Sequence, residues 1–249
     1  MLVSFIVTSY NYSKYVLQTI QSIKNQTIYD FEIIVVDDCS RDNSMELLEQ
    51  ENGIKLIHHN KNKGQLASIL TGLKEAQGQY ISIIDSDDAI SPNYAERLIE
   101  HLTHNNVALV VCNSDKNEIL TPQTHPFGGW WWQAMSCGMF KKDVLNDLLK
   151  YTNTDAWQIC PDKLLFNIAH LLGNSMNVTD SLVSKRNHSK NAGKSTFRLF
   201  RNIKNNFIIR TEALKIVTHK VHRDIIKKSY VFLFMQIIEK LDNLLSFNR

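Results

Sequence analysis

The sequence predicts an α/β fold: a mostly parallel sheet flanked by helices, followed by a C-terminal helical extension. Three observations predict it. Short apolar runs alternate with helix-period segments from Val3 to Cys112. Acidic residues stand directly after two of those runs. All four prolines precede residue 162 and the last glycine is Gly193, so 194–249 lack both residues that break helices. The boundary divides the chain into 1–193, the α/β domain, and 194–249, the extension.

The elements follow in order. Val3–Thr8 is a short apolar run, as in a buried parallel strand. Ser13 can cap a helix running to about Asn25. Phe31–Asp37 is a second buried strand. Ser44–Gln50 is a short helix stopped by Gly53, and Ile54–His58 is a third strand. Gly64–Ala76 is a helix with Gly78 just past its end, the usual place for a C-terminal glycine. Tyr80–Ile84 is a fourth strand. Ser91-Pro92 offers a cap and a first-turn proline for a helix to about Leu102. Ala108–Cys112 is a fifth strand. Such alternation implies crossover connections, and ligands of parallel sheets bind beyond the carboxyl ends of the strands.

Composition excludes several classes. With 43% apolar and 21% charged residues over 249 positions, the chain can bury a core and is not disordered. The opening MLVSFIVTSYNYSKY lacks the basic start of a signal peptide, and no run of 18 apolar residues occurs. The four cysteines are far apart with no C-x-x-C, which fits reduced thiols in a cytosolic protein. The net charge of +3 hides a split. Residues 1–184 carry 13 basic and 21 acidic residues, net −8, while 185–249 carry 15 and 4, net +11. That asymmetry points to different partners for the two parts.

Two acidic clusters sit at predicted strand ends. Asp37-Asp38 follows one strand, and Asp85-Ser86-Asp87-Asp88 follows another. A parallel sheet brings both to one edge. Three carboxylates within four residues repel one another, and a cation relieves this. Mn²⁺ or Mg²⁺ takes oxygen ligands and bridges one or two carboxylates to substrate phosphates. There is no G-x-G-x-x-G and no G-x-x-x-x-G-K-[ST], which argues against a dinucleotide or P-loop fold.

The ordered segments VSFIVTSYNYSKYVLQTIQSIKNQT, FEIIVVDDCSRDNS, NKGQLASILTGLKEAQGQYISIIDSDD and DKLLFNIAHLLGNSMNVTDSLVSKRNHSKN resemble the family 2 glycosyltransferases of the GT-A fold. The resemblance covers about residues 2–193. It implies that Thr8, Tyr10 and Asn11 line a nucleotide pocket. Asp37 resembles the carboxylate that reads the base, usually uracil, with Asp38 beside it. Gly64 and Gln65 resemble the N-x-G-Q turn near the nucleotide. Asp85 and Asp87 resemble the D-x-D pair around Ser86, with Asp87 on the metal and Asp85 on metal or ribose. Leu70 departs from the family, where many members have Asn.

An inverting transfer needs a carboxylate within reach of the acceptor hydroxyl. Asp162, opening the apolar helix-period stretch DKLLFNIAHLLG, is the candidate base, with Asp155 the fallback. The family often has an acidic pair at this point; here Cys160-Pro161 precede a single Asp. By the same resemblance His188 sits near diphosphate or metal, and Arg186 and Lys190 could hold phosphate oxygens. Phe127–Trp132 (FGGWWW) reads either as an acceptor-site or membrane-edge loop or as a partly buried aromatic loop. Ser136-Cys137-Gly138 follow where family members have small residues facing the acceptor.

Beyond Phe197, Lys215, His219, Arg223 and Lys227 share one helical face, while Ala213, Val217, Val221 and Ile225 share another. A basic face beside an apolar one suits an anionic membrane surface, and a packed helical hairpin is the alternative. The expected protein is therefore a metal-dependent enzyme of the cytoplasm or of the inner membrane face. It would pass a sugar from a UDP-sugar to a saccharide or polyprenyl-diphosphate-linked acceptor in cell-surface polysaccharide synthesis. Nucleic acid is not expected as a partner, because no binding motif appears. The rival readings are an inactive membrane-associated scaffold and a sugar-phosphate nucleotidyltransferase. The second should show a glycine-rich loop where this chain has SYNYSKY.

Overall fold

The computed structural model describes residues 2–103, 107–116, 123–124, 130–131, 134–146 and 161–186. Within them lie ten strands. The first four are β1 (Val3–Ser9), β2 (Phe31–Asp37), β3 (Lys55–His58) and β4 (Tyr80–Asp85). After them come β5 (Asp88–Ile90), β6 (Val107–Ser114), β7 (Gln123–Thr124), β8 (Trp130–Trp131), β9 (Gly138–Lys141) and β10 (Asn174–Lys185). The helices are α1 (Val16–Lys24), α2 (Ser44–Glu49), α3 (Gln65–Glu75), α4 (Tyr94–Leu102), α5 (Lys142–Asn146) and α6 (Pro161–Leu172).

Eight strands form one sheet in the order β3-β2-β1-β4-β9-β6-β10-β5. The first four are parallel to one another, as their apolar runs predict. β6 and β10 are parallel as well, while β9 runs antiparallel to both β4 and β6, and β5 antiparallel to β10. The sheet is thus mostly parallel, with antiparallel insertions in its second half. Strand order reverses around β1, because the chain moves outward to β2 and β3 and then returns to β4 on the far side. Such a reversal opens a crevice at the carboxyl ends of the strands.

The core is continuous through the sheet. Phe5 packs edge-on against Phe31 at 5.7 Å between ring centres and near Tyr94 of α4 at 6.5 Å. Its neighbour Ile6 points to the other face and meets α3. There a Cβ added to Gly72 would fall 2.5 Å from Ile6 Cγ2. Successive residues of one strand therefore bury against α4 on one side and α3 on the other. Each wholly buried Phe or Ile of this kind contributes about 1.5–3 kcal/mol.

Local details differ from the sequence reading. Ser13 does not cap α1. Its backbone N–H donates to Asp42 Oδ2 at 3.1 Å, and the helix begins after Tyr15. Ser91 does not cap α4 either. Its hydroxyl donates to Leu182 O in β10, and the helix starts at Tyr94 after Asn93. Gly78 is small for packing rather than for a left-handed cap. A Cβ there would meet the backbone N of Ser4 at 2.5 Å. Gly64, by contrast, needs its freedom, since its φ is +88° at the entry to α3.

Of the FGGWWW segment, residues 127–129 and Trp132 lie outside the described residues. Trp130–Trp131 forms β8, which pairs antiparallel with β7. The expected extension, 194–249, also lies outside the described residues. No helix among the described residues is long and apolar enough to cross a membrane.

Candidate functional site

Register decides which side chains meet. Ser9 of β1 is paired with Asp37 of β2, and Thr8 of β1 with Asp85 of β4. The two acidic clusters therefore flank the end of β1, at the reversal of strand order. Ser9 Oγ is buried there and finds no hydrogen-bond partner among the described residues.

Asp37 is wholly buried and rigidly held. Its Oδ1 accepts the Ser40 N–H at 2.8 Å, its Oδ2 accepts the Ser40 hydroxyl, and His58 Nδ1 lies 3.3 Å from Oδ1. Ser40 Oγ in turn accepts the Asn11 N–H at 2.8 Å, while Asn11 Oδ1 accepts the Arg41 N–H at 2.7 Å. Asn11 has φ +61° and Cys39 has φ +66°, conformations that these reciprocal bonds hold in place. The loop after β1 is thus clamped to the loop after β2. Tyr10, beside this clamp, is 38% exposed and presents its ring outward.

Asp38 has a different place. Its Oδ1 accepts the Lys63 N–H and contacts His59 Nδ1, both at 2.8 Å, and its Oδ2 accepts the Gly64 N–H at 2.7 Å. His59 Nε2 lies 3.0 Å from Thr71 Oγ1. The carboxylate therefore anchors the turn before α3. That turn delivers Gln65, whose Nε2 donates to Asp85 Oδ1 at 2.7 Å and lies 3.4 Å from Thr8 Oγ1. Thr8, Gln65 and Asp85 are brought together.

The acidic turn between β4 and β5 is packed from below. Thr19 of α1 donates its hydroxyl to the carbonyls of Ser86 and Asp88, at 2.9 and 2.7 Å. Ser86 and Asp88 are buried, whereas Asp85 and Asp87 are partly exposed. Burial first, then the neighbouring Asp88, Asp87 and Asp162 carboxylates, push Asp85 well above the usual carboxylate range, with Lys185 opposing. Burial and Asp87 push Asp88 up to about 6, against the Ser136 hydrogen bond, Lys185 and Arg186. Burial, helped by Asp87, Asp85 and Asp88, raises Tyr12 to about 12.

Asp162 lies in the first turn of α6, and its negative charge is one of those that raise Asp85. Arg186 caps the site from the end of β10. Its Nη1 donates to Asp87 O at 3.2 Å, and its guanidinium lies 5.5 Å from the centre of the Tyr15 ring. Asp155, Cys160, His188 and Lys190 lie outside the described residues. Tyr12, Thr19, Ser40 and His58 join the site without having been assigned to it from sequence, while Ser136, expected near the acceptor, lies against the acidic turn. Ser40 was findable, because a hydroxyl three residues after an Asp commonly closes such a turn. Ser136 and Gly138 are buried in the domain. Ser136 faces Asp88, and Gly138 gives room to Phe166.

Among the described residues no group of three or more His, Cys, Asp or Glu could hold a metal ion alone. The turn nonetheless fits a divalent cation shared with a phosphate ligand. The partly exposed Asp85 and Asp87 offer hard carboxylate oxygens, and burial with its neighbours' repulsion leaves Asp85 short of positive charge.

This arrangement defines an α/β protein whose two acidic clusters flank the reversal of its strand order. Residues 4–183 match the model of glycosyl transferase family 2, and the chain belongs to that family. The glycosyltransferase GlyG of Streptococcus pneumoniae serotype 4 is 34% identical over 116 residues. That match takes in 45% of this chain and 38% of the relative, so the chain spans well under half the length of that curated relative. Staphylococcus aureus TarS (residues 1–349), solved with UDP, superposes with a TM-score of 0.66 at 18% identity. It covers 88% of this chain and 70% of the TarS chain. The mannosyltransferase PcManGT of Pyrobaculum calidifontis, solved with GDP-Man and Mn²⁺, has a TM-score of 0.67 at 18% identity, covering 86% and 64%. At that identity these two structures establish the shared fold alone.

Proposed function

We propose that the chain is an inverting glycosyltransferase that moves a sugar from a nucleoside-diphosphate sugar, a UDP-sugar, to a saccharide or polyprenyl-diphosphate-linked acceptor in cell-surface polysaccharide synthesis. Mn²⁺ or Mg²⁺ takes part. One observation carries this reading: strand register sets Asp37 beside Ser9 and Asp85 beside Thr8, so that the two acidic clusters flank the end of β1 at the reversal of strand order. The UDP in TarS and the GDP-Man and Mn²⁺ in PcManGT support it.

The residues divide the work. Asp37, fixed by Ser40 and His58, accepts the imide N–H of the base, while Tyr10 offers its face to the ring and Asn11 holds the loop. Asp38 fixes the turn that aims Gln65 and Gly64 at the nucleotide. Asp87 and Asp85 would hold the divalent cation, with His188 as a further candidate ligand. When bound, the cation neutralises charge that develops on the departing diphosphate. Arg186 lies against the turn and adds positive charge there. The acceptor hydroxyl attacks C1 of the sugar opposite the diphosphate, and Asp162 takes its proton. The N-terminal end of the twelve-residue α6 favours the ionised form of that carboxylate.

We assign 1–193 to this catalytic unit and 194–249 to attachment. The basic and apolar faces of 197–249 suit an anionic bilayer surface, which would keep the enzyme at the cytoplasmic face of the membrane. The functional test is a panel of nucleotide sugars incubated with Mn²⁺ or Mg²⁺ and scored for nucleoside-diphosphate release. UDP release from one or more UDP-sugars is expected. Release from no donor, with or without acceptor extracts, would contradict the assignment.

A further inference from the structure

The acidic turn is gripped by a residue from the opposite half of the chain. Ser136 lies in the 3₁₀ turn Met135–Cys137, just before β9, and is wholly buried. Its Oγ accepts the backbone N–H of Asp85 at 3.0 Å and stands 2.7 Å from Asp88 Oδ2. An amide N–H can only donate, and a hydroxyl carries one proton. That proton is therefore directed at Asp88. The chain of bonds has a fixed sense, from Asp85 N–H to Ser136 Oγ and from Ser136 O–H to Asp88.

Ser136 is itself immobilised. Its carbonyl accepts the Tyr94 hydroxyl at 2.9 Å, and Tyr94 Oη lies 2.7 Å from Ser82 Oγ, all of them buried. Asp88 is only 2% exposed, and its backbone pairs with Lys185 of β10. Asp87 beside it is partly exposed. Asp85 and Asp87 are thus partly exposed, while Asp88 faces inward to a fixed hydroxyl.

We propose that Ser136 and Asp88 are the positioning pair of the acidic turn: Asp88 serves Ser136 rather than a cation, and together they fix the backbone from which Asp85 and Asp87 meet a cation and diphosphate. The inference rests on the donor-site reading above and adds a division of labour to it. Partners that orient metal-facing carboxylates typically change metal affinity 10–100-fold when removed.

The test uses the full chain, Mn²⁺ and UDP. Calorimetry measures UDP affinity with and without Mn²⁺, and amide hydrogen exchange of residues 85–90 is followed without metal. Ser136→Ala should weaken Mn²⁺-dependent UDP binding about 10-fold or more, change metal-free binding less than about threefold, and speed exchange of the Asp85 amide. Ser136→Thr, which keeps the hydroxyl, should restore most of the loss. Asp88→Asn, whose amide oxygen can still accept from Ser136, should lose much less Mn²⁺-linked affinity than Asp87→Asn. Equal losses in those two variants would make Asp88 a ligand and overturn the proposal. Unchanged Mn²⁺ linkage and unchanged Asp85 exchange in Ser136→Ala would overturn it as well. If the wild-type chain itself shows no Mn²⁺-linked UDP binding, the donor-site reading fails first, and this proposal falls with it.

Discussion

Replacing Thr19 by valine keeps the shape of a wholly buried side chain and removes one hydroxyl. That hydroxyl is shared between the carbonyls of Ser86 and Asp88, at 2.9 and 2.7 Å, beneath the acidic turn. Valine cannot donate, so a buried carbonyl loses its partner and keeps its desolvation cost, about 1–3 kcal/mol. The methyl replacing the oxygen recovers little, because it faces two carbonyl oxygens. With about 2 kcal/mol lost, a domain of this size should melt roughly 4–8 °C lower. Thermal unfolding by calorimetry measures this, with Thr19→Ser as the control that retains the hydroxyl. The serine variant loses a buried methyl, about 1 kcal/mol, but should keep the ligand-linked stabilisation that UDP and Mn²⁺ give the wild type. Thr19→Val should lose part of it, since the turn is no longer held. A valine variant that melts within a degree of wild type, with full ligand response, would refute the view that Thr19 supports the site.

Three further outcomes are expected. Asp162→Asn should leave UDP binding within about twofold and cut transfer about 10²–10⁴-fold, the range of general-base effects, in a turnover assay; near-normal turnover would move the base to Asp155. Burial pushes Asp42 up, but hydrogen bonds from Ser44 and Ser13 outweigh it and hold the carboxyl below its ordinary 3.8. Its stabilising contribution is therefore complete above 3.8 and is lost as pH falls through the lower folded value. Urea titrations of wild type and Asp42→Asn should converge as the pH is lowered through that range, and a constant gap would show that ionisation of Asp42 does not matter. Full-length protein should sediment with anionic liposomes in low salt and release in high salt, while a chain ending at residue 196 should not sediment. Equal sedimentation of both would exclude 197–249 as the attachment.

The first half of the fold was legible because each strand there is an apolar run bounded by turn residues. Phe31–Asp37 matches its expected bounds, since burial on both faces makes residues 33–36 an unbroken apolar run. The second half was not. β9 has four residues, and β10 alternates polar and apolar residues through register shifts at Ser175 and Ser181, so neither carries the signature of a buried parallel strand. Caps failed where a distant acceptor outcompeted the local one. The Ser91 hydroxyl reaches Leu182 O, ninety-one residues away, instead of closing its own helix.

In the candidate site, the acidic residues stood out because like charges after an apolar strand need a physical reason. What sequence did not show was their separation into kinds. Asp37 and Asp38 are adjacent, yet one is braced by Ser40 and the other carries the turn before α3. Asp87 and Asp88 are adjacent, yet one is partly exposed and the other turned inward to Ser136. Apart from Ser40, the partners that complete these differences lie 21 to 48 residues away.

The central claim is that the crevice at the end of β1 binds a nucleoside diphosphate together with a divalent cation. Isothermal titration of the full chain with UDP, in the presence and absence of Mn²⁺, tests it most directly, with Asp85→Ala and Asp87→Ala as the paired variants. The account predicts saturable UDP binding that tightens at least about tenfold with Mn²⁺, and loss of that enhancement in both variants. UDP affinity that is indifferent to Mn²⁺, or enhancement that survives both substitutions, would contradict it.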